Sequence, residues 1–236
     1  MNAQDVKAEL QKHADSRRAE TGQSFFKTGP GQYGEGDKFI GLKVPDTRAV
    51  CKQYKDLPLS EIQRLLESPI HEHRLAALVI MTLQAKKTSP EYKKQLYDFY
   101  LKNTAHINNW DLVDLSCPQI VGAYLVDKPK EPLYKLAHSK DLWEKRLAMV
   151  STLQLIRAGQ LGDTFAIAEI LLHDKHDLIH KAVGWMLRCA GDVDRAELLK
   201  FLDSRAHKMP RTALRYALEH LTPAQKDHYM NLKSVK

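Results

Sequence analysis

Cysteine is scarce in this chain and carries no pattern: Cys51, Cys117 and Cys189 are an odd, scattered set with no Cys-x-x-Cys pair. That excludes a disulfide framework and a structural zinc site, and it predicts a soluble protein of a reducing, cytoplasmic compartment. Long apolar runs are missing as well. No stretch approaches the roughly 18 consecutive apolar residues of a membrane span. Met1 to Leu10 are polar and mixed in charge, without the apolar core of a secretory signal. From Pro58 onward β-branched alternation is rare, and helical periodicity takes its place.

The chain that remains has 236 residues, 43% of them hydrophobic, enough to bury a sizeable core and to exclude disorder. Lys and Arg number 36 against 29 Asp and Glu, giving +7 and a pI near 9.2, which suits an acidic partner. The excess is uneven. Residues 181–236 hold 11 basic and 6 acidic side chains, whereas residues 101–180 hold 9 and 10.

Residues 3–27 read as one helix, with Val6, Leu10, Ala14 and the pair Arg17/Arg18 at helical spacing. A glycine-rich segment, residues 28–37, follows. Within it Gly29-Pro30-Gly31-Gln32-Tyr33-Gly34 satisfies the dinucleotide pattern GxGxxG, which has meaning only between a buried strand and a helix. Here a charged helical stretch precedes it and Pro30 lies inside it, so it reads as a flexible loop before a helix near Asp46. Beyond Pro58, breakers punctuate the helices at Ser68-Pro69, Ser89-Pro90, Lys128-Pro129, Gly159/Gly162 and Gly191.

Short paired helices call for a search for repeats. Three stretches superpose, around Arg74-Leu75-Ala76-Ala77-Leu78, Arg146-Leu147-Ala148-Met149-Val150 and Lys181-Ala182-Val183-Gly184-Trp185. Their anchors lie 72 and 35 residues apart, two periods of about 36 and then one. A copy is therefore expected near position 110, where Trp110-Asp111-Leu112-Val113-Asp114 stands, and a weaker one runs through Arg211–Leu221. The tetratricopeptide and ankyrin signatures are absent. The reading is an all-α chain, an α-α superhelix of HEAT-like helical repeats forming a single domain over residues 1–236. An irregular helical bundle is the alternative.

Equivalent positions on stacked helices share a surface. Arg74, Trp110, Arg146 and Lys181 would form one stripe, with Leu78, Asp114, Val150 and Trp185 one turn later. Trp110 and Asp114 project together, as do Trp185 and Arg188. Each residue also has a structural reading: a helix tryptophan as core, Asp111 as a cap, Arg74 as the partner of a neighbouring carboxylate.

These residues resemble the AlkD family of DNA alkylation-repair glycosylases. The similarity rests on Asn109-Trp110-Asp111-Leu112-Val113-Asp114, on Leu142-Trp143-Glu144-Lys145-Arg146-Leu147-Ala148 and on Lys181 to Arg188. Phe39-Ile40-Gly41-Leu42-Lys43-Val44-Pro45 and Met209 to Arg215 extend it, so that it covers residues 38–221. The resemblance implies a HEAT-like solenoid that hydrolyses the N-glycosidic bond of N3- and N7-alkylated purines in double-stranded DNA, as a monomer and without a cofactor or metal. It implies an active site at Asp114, Trp110, Trp185 and Arg146. Arg188 matches a DNA-contacting arginine, and Lys145, Lys181, Arg211, Arg215, Lys43 and Arg74 are further candidate DNA contacts. Lys145 departs from the family's arginine at that position, keeping the charge and losing the bidentate fork. The segment 28–37 also departs from the pattern.

Two rivals stand beside this reading. His173, His176 and His180, near Asp174 and Asp177, could form a metal-hydrolase face, although His71-Glu72-His73 is not a zinc motif. A non-catalytic helical scaffold or structure-specific DNA binder would need only the basic surface.

Overall fold

The computed structural model describes residues 1–86 and 89–232. They form helices joined by turns, and the described residues contain no strand beyond an isolated bridge between Lys38 and Ile70. The all-α expectation holds. The chain divides into two compact units, Met1–Val121 and Gly122–Lys236.

The first unit carries α1 (Ala3–Gln11), α2 (Ser16–Phe25), α3 (Val44–Gln53), α4 (Leu59–Leu66), α5 (His71–Ala85), α6 (Pro90–Lys102) and α7 (Trp110–Cys117). A π-helical turn, Pro118–Gly122, follows α7. The second unit carries α8 (Ala123–Leu125), α9 (Glu131–Ala137), α10 (Leu142–Arg157), α11 (Gly162–Leu171), α12 (Asp177–Val193), α13 (Arg195–Arg205), α14 (Arg211–Ala217) and α15 (Pro223–Met230). Among the described residues no helix is long and apolar enough to cross a membrane.

Packing follows the logic of a repeat. Within pairs, α4 lies on α5, α9 on α10 and α11 on α12; between pairs, the second helices stack as α3–α5–α7 and as α10–α12–α14. The repeat anchors fall in these stacked helices, as the period of about 36 predicts. Their register is not uniform. Trp110 opens α7, Arg74 is the fourth residue of α5, and Arg146 and Lys181 are the fifth of α10 and α12. Arg74 and Arg146 are buried while Trp110 and Lys181 are half-exposed, so the anchors do not form a uniformly exposed stripe.

Two local readings need correction. Residues 3–27 are two helices, because Asp15 ends the run: its carboxylate accepts from the Arg18 amide at 2.8 Å and caps α2, while its own amide donates to the Ile40 carbonyl. Gly41 makes that approach possible. It sits at φ +81°, and a Cβ there would stand 2.1 Å from the Asp15 oxygen. Gly191 does not break its helix either; α12 runs through it to Val193, and the missing side chain leaves room for Leu198 of α13.

The core of the first unit centres on α5, where every residue from His71 to Met81 is buried. A helix enclosed on all sides can be apolar around its full circumference, and Leu75 to Met81 are. In the second unit α12 and α14 approach closely at Gly184, where a Cβ would meet the Ala213 carbonyl at 2.4 Å.

Candidate active site and nucleic-acid interface

In the first unit the site is α7 and what fixes its start. Asn109 caps the helix, its side-chain oxygen accepting from the Trp110 amide at 2.8 Å. Asp111 accepts from the Leu112 amide through one oxygen and holds His71 Nε2 at 2.8 Å through the other. His71 Nδ1 meets Asp37 at 2.9 Å, and the second Asp37 oxygen is paired with Arg74. Asn109 donates to Asp37 as well, at 3.4 Å. A chain of charge, buried at Asp37, His71 and Arg74 and half-buried at Asp111, thus runs from the end of the glycine-rich segment through the start of α5 to the first turn of α7.

Burial alone would push the His71 imidazole toward neutrality. The hydrogen bonds and negative charges of Asp111 and Asp37 outweigh it and raise the pKa to about 9, so the ring is cationic at neutral pH. Burial likewise opposes ionisation of Asp37, but His71 and Arg74 prevail and hold its carboxyl below the usual range. His73 has no carboxylate beside it. Burial, Lys7 and Arg74 push it down to about 4, leaving a neutral ring whose Nδ1 meets the Ser68 hydroxyl at 2.8 Å.

Aromatic rings cover this network. Phe39 stacks on His71 with centroids 4.5 Å apart, Phe26 stacks on Phe39 at 5.1 Å, and Trp110 stacks on Phe26 at 5.4 Å. Phe25 meets the Trp110 ring edge-on at 5.9 Å and is 61% exposed. Trp110 is half-buried, and Asp114 lies one turn further on, half-buried too. The Asp114 charge reaches the enclosed Tyr100 phenol. Burial first, then Cys117 and Asp114, raise that phenol's pKa well above the ordinary value, while its hydroxyl bonds Ser116 at 2.8 Å.

In the second unit Asp141 caps α10 by accepting from the Trp143 and Glu144 amides. Arg146 is buried, and its Nη1 donates to the Leu178 carbonyl at the start of α12 at 2.6 Å. Lys145 is paired with Asp174, which keeps the Asp174 carboxyl low against the opposing effect of burial. On α12, Lys181 pairs with Asp177 at 2.8 Å, Trp185 is half-buried, and Arg188 is paired with Glu219. Arg211 donates to the Met230 carbonyl at 2.8 Å, and Arg215 is exposed, as is Lys43 in the first unit.

With this geometry in place, comparison with known proteins is decisive at the family level. A model of the family described as DNA alkylation repair enzyme matches residues 6–221. The chain belongs to that family. Membership carries a role in DNA repair and DNA as substrate. A solved structure described as a predicted DNA alkylation repair enzyme from Enterococcus faecalis superposes with a TM-score of 0.70 at 16% identity, over 89% of this chain and 98% of that chain. At that identity the likeness speaks to the fold alone. No curated protein matches the chain.

Against that background the candidate residues separate. Trp110 and Asp114 share α7, as their spacing predicts, and Trp185 shares α12 with Arg188. Arg74 lies elsewhere than a phosphate contact requires: it is closed in against Asp37 and the Ser68 carbonyl. The glycine-rich segment is tied down by its own turns, with Gly34 donating to the Lys27 carbonyl and Gly31 to Glu35. It follows helix α2 and no strand precedes it, so the dinucleotide pattern has no nucleotide-binding context. Of the rival metal face, His176 caps α12 and His180 bonds the Asp174 carbonyl; no cluster of three ligating side chains occurs among the described residues. Sequence reasoning missed Asp37, His71 and Glu72, the last of which accepts from the Ile40, Gly41 and Leu42 amides. Their partners lie about 30 to 70 positions away, and no local motif links them.

Proposed function

We propose that this family member is a monofunctional DNA glycosylase of the AlkD kind. It hydrolyses the N-glycosidic bond of N3- and N7-alkylated purines in double-stranded DNA and leaves an abasic site. The observation that carries the reading is the placement of Asp114 one turn from Trp110 on α7, both half-exposed, on a helix whose start is fixed by buried charge and stacked rings.

The chemistry needs little more. Alkylation at N3 or N7 makes the purine cationic, so it departs without a general acid. As the bond breaks, the sugar gains oxocarbenium character. A carboxylate about 4 Å away contributes on the order of 4 kcal/mol at an effective dielectric near 20, roughly a thousandfold in rate. Asp114 supplies that charge and holds the attacking water. Trp110 and Trp185 pack against the deoxyribose and backbone, favouring the developing cation electrostatically. Arg188 grips phosphates, and Arg146, buried and bonded to the Leu178 carbonyl, does so only by giving up that carbonyl on binding. Lys145, Lys181, Arg211, Arg215 and Lys43 extend that contact, with Lys145 and Arg188 exchanging Asp174 and Glu219 for phosphate oxygens on binding. Lys181, paired with Asp177, is assigned a phosphate contact and not a Schiff-base role, because the family position it matches has no such role. Recognition through the backbone leaves the lesion near the stack instead of extruding it into a pocket.

The test is lesion choice. Duplexes carrying N7-methylguanine or N3-methyladenine are expected to lose the base, whereas 8-oxoguanine and 1,N6-ethenoadenine stay intact under the same conditions. Comparable release of the neutral lesions contradicts the mechanism, because a neutral purine departs only with help from an acid.

A further inference from the structure

Three elements of the first unit enclose a cavity that the chemistry above does not use. It measures about 380 Å³. Arg48 and Lys52 face it from one turn of α3, Leu83 and Lys86 from the end of α5, and Leu115 and Gln119 from α7 and the π turn. Arg48, Lys52 and Lys86 are exposed, and none forms an ion pair among the described residues. No carboxylate lines the cavity. Some other cations of this unit stand beside carboxylates, Lys12 by Glu9, Arg64 by Glu61 and Arg74 by Asp37; what sets Arg48, Lys52 and Lys86 apart is that they converge on one cavity.

Three like charges around one concavity repel each other, and the low-dielectric wall between them strengthens that repulsion. An anion entering the cavity reverses its sign. The wall also holds an unused hydrogen-bonding group, because the Gln119 side-chain oxygen is buried without a partner. The place is telling too. Leu115 directly follows Asp114 and projects about 100° around α7 from it, so the cavity lies on the flank next to the face that carries Asp114, and on a helix about 10 Å across that flank is within a phosphate spacing or two.

The geometry points to a phosphodiester-binding subsite for the DNA backbone, formed by Arg48, Lys52 and Lys86 beside the leucine surface. The assignment deepens the glycosylase reading and rests on it for which part of the strand is held. The site contributes affinity through phosphates and is blind to sequence, as backbone contacts are.

The test uses the full chain with Arg48→Gln, Lys52→Gln and Lys86→Gln combined, measured by fluorescence anisotropy on undamaged duplex across a salt series. Each lost phosphate contact lowers the slope of log affinity against log salt by about 0.9. The expected result is a slope lower by two to three, with affinity at low salt down at least tenfold. A control variant replaces Lys12, Arg64 and Lys94 with Gln, three ion-paired cations of the same unit, and keeps the slope within one of wild type. An unchanged slope in the cavity variant overturns the assignment. So does direct binding of inorganic phosphate, read by calorimetry, that the substitutions abolish while duplex binding stays as it was; that pattern marks a site for a free anion. Binding to undamaged duplex needs no base release, so a failure of the glycosylase reading is seen separately, as absence of release from N7-methylguanine duplex by the wild type. If release does occur, saturating the cavity variant with substrate restores its rate to within about twofold of wild type.

Discussion

The two ends of α5 treat charge in opposite ways. At its start His71, Glu72, His73 and Arg74 are all buried, and each is met by a partner chosen for its charge state: two aspartates, three backbone amides, a serine hydroxyl, and Asp37 with a carbonyl. At its end Lys86 stands exposed with Arg48 and Lys52, around a cavity without a carboxylate. Charge enclosed with its partners holds the fold together and is shut away from a ligand, including His73 Nε2 and Arg74 Nε, which are buried without a hydrogen-bond partner among the described residues. Charge left unbalanced in a concavity is available. The overall +7 says nothing about which kind a given residue is; only the partners do.

Removing a partner at the enclosed end is expected to have the largest effect. Asp37→Ala leaves Arg74 and the His71 cation buried without their shared carboxylate, which costs roughly 3–5 kcal/mol. Urea denaturation with wild type in parallel reads it, and a loss below about 1 kcal/mol would show that this end is no more structural than the other.

A proton is a smaller change than a side chain. Because His71 has its pKa raised from 6.5 to about 9 in the fold, its contribution is complete below pH 6.5 and is lost as pH rises through 9. His73 has the opposite sign: its pKa is depressed to about 4, so its contribution is complete above pH 6.5 and is lost as pH falls through 4. Cys51, Tyr134 and Tyr229, near 12, titrate outside this range. The urea midpoint is therefore expected to decline from pH 6.5 to 9 in the wild type, and His71→Gln is expected to flatten that decline. An equal decline in both proteins assigns the alkaline loss to other groups.

The open end gives the smallest effect on folding. Lys86→Gln is expected to stay within about 0.5 kcal/mol of wild type in urea, since an exposed side chain without an ion partner stabilises little. A larger loss would place Lys86 with the enclosed charges.

Much of the architecture was legible in the sequence because it is periodic. The spacing of Arg74, Arg146 and Lys181 located the stacked helices, and the period correctly placed a further copy at Trp110. Where the sequence misled, a contact distant in the chain decided. Asp15 ends the first helix through Ile40, and Gly191 admits Leu198 instead of breaking α12. Of the candidate site, Trp110 with Asp114 and Trp185 with Arg188 were readable as helical neighbours. The network beneath them was not, since Asp37, His71 and Asp111 come from three separate segments and meet only in the fold. Arg74 illustrates the point: it sits at a repeat-equivalent position and reads as a DNA contact, but a carboxylate 37 residues upstream claims it.

The central claim is that Asp114 carries the chemistry, and one comparison addresses it directly. Release of N7-methylguanine from duplex DNA is measured under single-turnover conditions for the wild type and for Asp114→Asn, with duplex affinity measured alongside. The account predicts a rate lower by about a thousandfold in the variant, as loss of the carboxylate near the oxocarbenium requires, with binding retained. Equal rates in the two proteins, or no release from either, would contradict it.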